Sequence, residues 1–208
     1  MVAHRHTYLL HGVLTTLTGV PHDPLSPLWA LVPWPSPTGW AVYWWRDEEA
    51  RRFGARGFSA RFADKIGRVR FGLLGRVRTP VLARRGRSRI TVTALTPVCC
   101  RNGGGSTLYT APTAETLIST LGQRLARQLG LEVDAPDICL TMRDRRTEAA
   151  TVQQGPKMGL MRGWVGEVDL EVNAVSRWLL EVAARGPGLG GRTALGFGRI
   201  RLTETGYR

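Results

Sequence analysis

The sequence predicts an α+β fold, and three observations carry that prediction. In the second half, runs with the period-two alternation of a strand are interleaved with runs of helical period 3.6. Each helix-like run has its own start and stop residues. The chain then reaches a glycine-rich loop, 186–199, placed between a helix-like run and a last strand-like run from Ile200 to Thr203.

From the start, Thr7 to Thr18 is rich in strand formers and reads as a first β-strand. It runs into Gly19 to Pro27, where three prolines impose a turn or loop. Trp29 to Trp45 holds five tryptophans broken by Pro33, Pro35 and Pro37, and is expected to end in a strand from Trp40. So many tryptophans suit core packing or, alternatively, base-stacking platforms.

Segment 46–62 has another character. Arg46, Arg51, Arg52, Arg56 and Arg61 alternate with Phe53, Phe58 and Phe62. Gly54 and Gly57 each cost about 1 kcal/mol in a helix interior. The segment therefore reads as a marginal helix or insertion that orders on RNA, or else as a solvated basic face. Arg68 to Thr79 and Arg87 to Val98 then alternate basic and apolar residues around an arginine-rich turn, as a basic hairpin or a charged sheet edge would.

After Val98 come a glycine-rich loop, 101–106, and a helix expected over Pro112 to Leu129, with Ile118, Leu121, Leu125 and Leu129 as its apolar stripe. Pro112 suits the first turn and Gly130 the stop. A short strand is expected at Ile138 to Met142, then a basic linker, Arg143 to Arg146. In the strand Trp164 to Val172, Val168, Leu170 and Val172 alternate with Glu167, Asp169 and Glu171, so one face is buried. A helix from Asn173 to Ala184 has Asn173 as its cap and Val175, Trp178, Leu179 and Val182 toward the core. The resulting order, β-α-β-β-α-β, is the ferredoxin-like (RRM-like) arrangement. The full reading is of tandem ferredoxin-like units: a degenerate one over 1–86 that carries the 46–62 insertion, and one over 87–208 that carries the loop.

Charge bounds the function. Lys and Arg total 29 against 16 acidic residues, a net charge of +13, which points to a polyanion and first to nucleic acid. Apart from Lys65 and Lys157 every cation is arginine, which grips phosphate bidentately and stacks on bases, although codon usage in a GC-rich genome gives the same skew. The apolar runs are too short to span a bilayer, and the N-terminus shows no signal-peptide pattern. Cys99, Cys100 and Cys139 form no CxxC pair and leave one over, which argues against a zinc site and for a reducing cytoplasm.

The glycine loop is the richest stretch. Six glycines lie among Arg192 and Arg199. Such a loop can turn several N–H groups toward one anion, or can be a flexible surface loop. Three segments resemble the CRISPR repeat-cleaving endoribonucleases of the RAMP superfamily, the sixth Cas family. Gly188-Leu-Gly-Gly-Arg-Thr-Ala-Leu-Gly-Phe-Gly198 is similar to that family's C-terminal glycine-rich motif. Met161-Arg-Gly-Trp-Val-Gly-Glu-Val168 resembles the strand before its last helix, and Leu95 to Arg101 its middle segment. The resemblance covers about residues 66–203 and implies two ferredoxin-like units that hold repeat RNA, often as a hairpin.

The family reaction is attack of an RNA 2′-OH on the adjacent phosphate, leaving a 2′,3′-cyclic phosphate and a 5′-OH. It needs a base, an acid and positive charge, and no metal or other cofactor. The resemblance implies a catalytic histidine at or after an N-terminal helix, and His22-Asp23 is the nearest match. Of His4, His6, His11 and His22, His22 alone lies in a loop after the first strand. Some members, particularly of compact type IV systems, depend on arginines instead, and 46–62 suits such a variant. The candidate catalytic residues are therefore His22, Arg46 and Arg192. The candidate RNA contacts are Arg51, Arg52, Arg56, Arg61, Arg143, Arg145, Arg146, Lys157 and Arg162, with Gly188, Gly190, Gly191, Gly196, Phe197, Gly198 and Arg199 from the loop. The expected partners are repeat or guide RNA and other Cas effector subunits. A non-catalytic RAMP subunit that caps guide RNA, and a general RNA-binding protein, fit the same residues.

Overall fold

The computed structural model describes residues 15, 29–33, 40–44, 86–101, 108–109, 111–126, 137–153 and 160–205. The segment 46–62, the stretch Arg68 to Thr79 and the loop around His22 lie outside them. Of Thr7 to Thr18 the described residues include Thr15, which is helical, so the strand expected there does not hold at that position.

The elements in chain order are β1 (Trp29–Pro33), β2 (Trp40–Trp44), β3 (Ser88–Val98), β4 (Cys100–Arg101), β5 (Leu108–Tyr109), α1 (Ala114–Ser119), β6 (Leu140–Gln153), β7 (Leu160–Val172), α2 (Ala174–Arg185) and β8 (Ile200–Glu204). The strand expected from Trp40 is β2, and it pairs antiparallel with β1, Trp29 opposite Trp44, a partner the sequence reading did not foresee. A four-stranded antiparallel sheet runs in the order β6-β7-β3-β8, with β4 and β5 forming a small separate ladder. Apart from the short β4 and β5, strand, helix, two strands, helix and strand follow in the order the sequence predicts.

The core lies between one face of this sheet and the helices. Ile90 and Val92 of β3, Val168, Leu170 and Val172 of β7, and Ile200 of β8 meet Leu117, Leu121 and Leu125 from one helix and Leu179, Leu180 and Ala183 from the other. The expected stripe on α2 was right at Leu179 and Val182; Val175 and Trp178 pack at its margin.

Two boundaries differ from the sequence reading. Pro112 precedes the first helix rather than opening it: Thr113 is the cap, and its side chain and that of Thr116 bond reciprocally to each other's amides. This is a capping box with threonine in the glutamate position. After Ser119 the helix continues in π-helical form over Thr120–Ala126. Gly122 packs closely on Ile138: a Cβ there would lie 2.9 Å from Ile138 Cδ1, so the isoleucine side chain would have to shift.

The second correction concerns Arg143 to Arg146. These residues are not a linker but the middle of β6, which is 14 residues long. Charged residues occupy the strand because charged residues stand beside them: Arg146 is opposite Glu167 on β7, and Arg143 bonds to Glu171. Cross-strand charge pairs hold a strand without apolar alternation, so its sequence looks like a loop. Gly166, at φ +106°, gives room for the Arg146 carbonyl.

β3 carries a register shift between Ala94 and Val98. Pro97 lies within it, where a missing N–H costs the ladder nothing. Within the shift the Leu95 and Thr96 amides both donate to the Arg199 carbonyl, at 2.8 and 3.3 Å. Among the described residues no helix is long and apolar enough to cross a membrane.

Candidate nucleic-acid interface

The glycine loop folds against the end of β3. As α2 ends, the Gly188 amide donates back to the Ala183 carbonyl at 2.9 Å. The chain then runs beside the bulged strand: Gly191 N–H donates to Cys99 O at 2.6 Å, and Gly198 N–H to Pro97 O at 2.9 Å. Leu189 N–H closes the loop on itself at the Gly198 carbonyl, 2.7 Å away. A 3-10 turn, Thr193–Leu195, forms its tip and packs under β1, where Trp29 is buried. Leu195 and Phe197 point inward to a small cluster with Cys99 and Met161. Phe197 is therefore a packing residue in this structure and presents no ring for a base to stack on.

This geometry assigns the glycines a structural cause. Gly188, Gly190, Gly196 and Gly198 all have positive φ. At Gly190 a Cβ would lie 2.6 Å from the Cys99 carbonyl oxygen, and at Gly188 2.9 Å from that of Gly198. The close approach that excludes side chains is between parts of the protein itself. The amides of Gly188, Leu189, Gly191, Leu195, Gly196, Phe197, Gly198 and Arg199 all donate to protein acceptors, so most of the expected anion-facing N–H groups are already committed.

What the loop does offer is arginine. Arg192 has the left-handed conformation, φ 63°, at the head of the 3-10 turn, and is half-buried. It makes no ion pair among the described residues. Beside it, Thr193 Oγ1 is buried without a hydrogen-bond partner among the described residues. Arg199 is fixed through its backbone, donating to Thr96 Oγ1 at 2.9 Å and accepting from Leu95 N–H at 2.8 Å. Burial pushes its guanidinium below the ordinary arginine pKa. The contact of its Nη1 with Ala184 O is long, 3.5 Å.

The arginines of β6 are placed differently. On the sheet face away from the helices, Glu167, Asp169 and Glu171 form an acidic stripe along β7. Thr91 Oγ1 donates to Asp169 at 2.6 Å and Thr93 Oγ1 to Glu167 at 3.2 Å. Arg146 bridges Asp169 and Glu167 at 3.2 and 3.3 Å. Arg143 holds Glu171, with Nε at 3.0 Å, and Arg87 reaches the same carboxylate at 3.4 Å. Arg145 donates to the Pro112 carbonyl at 3.3 Å. Arg143, Arg145 and Arg146 thus have acceptors within the chain. Arg162, exposed near the start of β7, makes no ion pair among the described residues.

His22, Arg46, Arg51, Arg52, Arg56, Arg61 and Lys157 lie outside the described residues. The structure therefore brings together Arg192, Arg199 and the loop glycines at the end of β3. The sequence reading passed over Arg185, the last residue of α2, and Arg201 on β8. Both border an open groove with Arg199. Each looks alone like ordinary solvated charge, and no local signal marks the pair.

The family model described as CRISPR-associated endoribonuclease Cas6 matches residues 92–200, more than half of the chain. Solved structures share the fold. A Cas6 product complex aligns at 17% identity and TM-score 0.62, over 97% of this chain and 93% of the other. A Cas6-related protein from Pyrococcus furiosus aligns at 14% identity and TM-score 0.57, over 96% and 91%. Thermus thermophilus Cas6 gives 14% identity and TM-score 0.54, over 97% and 91%. No curated protein matches the chain.

Proposed function

Because the chain belongs to the CRISPR-associated endoribonuclease Cas6 family, we propose that it binds CRISPR repeat RNA, cuts it without a metal ion, and keeps the mature guide RNA within an effector complex in the cytoplasm. The observation that carries this reading is the extent of the family match. It runs from Val92 in β3 to Ile200, the first residue of β8, and so includes both helices, the β6–β7 pair and the whole glycine loop. The strand order β6-β7-β3-β8 supports a ferredoxin-like unit over 87–208. A second, degenerate unit over 1–86 belongs to the same proposal.

The proposed chemistry follows from the RNA itself. A base takes the proton of the 2′-OH, whose oxygen attacks the adjacent phosphorus. The bond to the 5′-oxygen breaks, an acid protonates that oxygen, and a 2′,3′-cyclic phosphate remains. His22 or Arg46 is assigned to the reacting groups. Arg192 is assigned to the charge that builds on the phosphorane, since it stands at the loop's tip with no carboxylate paired to it among the described residues. Arg162 and Arg199 are assigned to the RNA backbone.

Incubating end-labelled repeat RNA with the protein in EDTA tests the reading. One cut leaving a cyclic phosphate supports it. Tight binding with no cut makes the protein a capping subunit, and equal binding of scrambled RNA makes it a general RNA-binding protein.

A further inference from the structure

Next to the glycine loop, between the C-terminal end of α2 and the edge of the sheet at β8, lies an open groove of about 350 Å³ bordered by Leu95, Glu181, Arg185, Arg199, Arg201 and Leu202. Three arginines and one glutamate border it, and Glu181 is held by Arg177 at 2.9 Å. Arg199 is partly withdrawn from water yet makes no ion pair among the described residues. A guanidinium has five donors, and among the described residues that of Arg199 makes one long contact, to Ala184 O. Arg201 is exposed and likewise has no ion pair among the described residues. Leu95, beside the register shift in β3, is 53% exposed at the same groove.

An uncompensated, partly buried positive charge favours an anion, and an exposed apolar side chain beside it favours a flat apolar group. A nucleotide with an unpaired base supplies both. We propose that this groove is a second RNA subsite, taking single-stranded RNA that flanks the structured part of the substrate. In it Arg185 and Arg201 contact successive phosphates, and Leu95 lies against a base. The proposal rests on the repeat-binding reading above and adds to it a place for the unpaired flank.

The test compares a repeat hairpin alone with the same hairpin carrying its single-stranded flank. Both are titrated against the intact wild-type chain and the Arg185→Ala/Arg201→Ala double variant. Wild type is expected to bind the flanked RNA more tightly, with a salt slope steeper by about 1.4, at about 0.7 for each phosphate contact on a single strand. The double variant should bind the bare hairpin as wild type does and lose the flank's gain in affinity. Arg185→Lys/Arg201→Lys should restore most of the salt slope. If the flank gives wild type no gain, or the Ala variant keeps it, the groove is not an RNA subsite. If wild type does not prefer repeat to scrambled RNA, the repeat-binding reading falls and the subsite with it.

Discussion

The carbonyl oxygen of Cys99 accepts the Gly191 amide at 2.6 Å and lies the same 2.6 Å from the point where a Cβ on Gly190 would sit. One oxygen thus both anchors the glycine loop and forbids a side chain in it. Gly190 is also at φ +83°, a conformation that costs other residues about 1–2 kcal/mol.

Gly190→Ala is therefore expected to lower unfolding stability by at least about 2 kcal/mol, from backbone strain together with overpacking. Denaturant unfolding measures it, with near-UV circular dichroism from Trp29 and Phe197 as a report on the loop's seat. A variant that keeps wild-type stability but loses RNA binding would show that the glycine makes room for RNA rather than for β3.

The acidic stripe on β7 yields a prediction that separates structural from RNA-binding arginines. Arg146 spans Glu167 and Asp169, and all three side chains are partly exposed. Such pairs contribute up to about 1 kcal/mol each and weaken in salt. Arg146→Ala should destabilise the protein by at most about 1 kcal/mol for each pair lost and leave RNA affinity unchanged. A salt slope of RNA binding lowered by about 0.7 would instead make Arg146 a phosphate contact.

Glu171 gives the same face a pH signature. The hydrogen bond from Arg143 holds its carboxyl below the ordinary glutamate value of 4.5, with a smaller contribution from Arg87. Its folded pKa is below its unfolded one, so its stabilising effect is present above the ordinary value and is lost as pH falls through the lowered one. Arg143→Ala should move the Glu171 midpoint up toward 4.5, and Arg87→Ala should move it less. Carboxyl carbon shifts followed by NMR read both. An unmoved midpoint in Arg143→Ala would mean the bond does not persist in solution.

Much of this architecture was legible because local rules agree with the fold. Asn173 caps α2 as its residue type suggests, accepting from the Ser176 amide at 2.9 Å. The alternation over Val168, Leu170 and Val172 named the buried face of β7. What stayed hidden depended on partners distant in sequence. Arg143 to Arg146 reads as a strand only once Glu167 to Glu171 lies beside it. The glycines of 186–199 suggested room for an anion because nothing local shows that Cys99 and Pro97 fill that room. The arginines Arg185, Arg199 and Arg201 converge only after α2 and β8 pack.

The last prediction concerns the cut itself. His22 and Arg46 represent two schemes, one with a titrating base and one in which arginine aligns the 2′-OH without exchanging its proton. Imidazole takes or gives a proton near neutral pH, whereas guanidinium stays charged. If His22 carries the proton, His22→Ala loses about 10²–10⁴-fold in single-turnover rate while RNA affinity holds. Its wild-type rate also bends with pH near the histidine range. If arginine carries the reaction, His22→Ala cuts at the wild-type rate and Arg46→Ala loses both rate and affinity, because the same charge grips the phosphate before and during reaction. Arg192→Ala is expected to slow either scheme at unchanged melting temperature, since its side chain makes no ion pair among the described residues while its backbone holds the turn through the Leu195 amide at 2.9 Å. Rates for the three variants in EDTA, each beside a binding titration, decide between them. Wild-type cutting by all three would remove all three residues from the reaction, and a magnesium requirement would overturn the metal-free scheme.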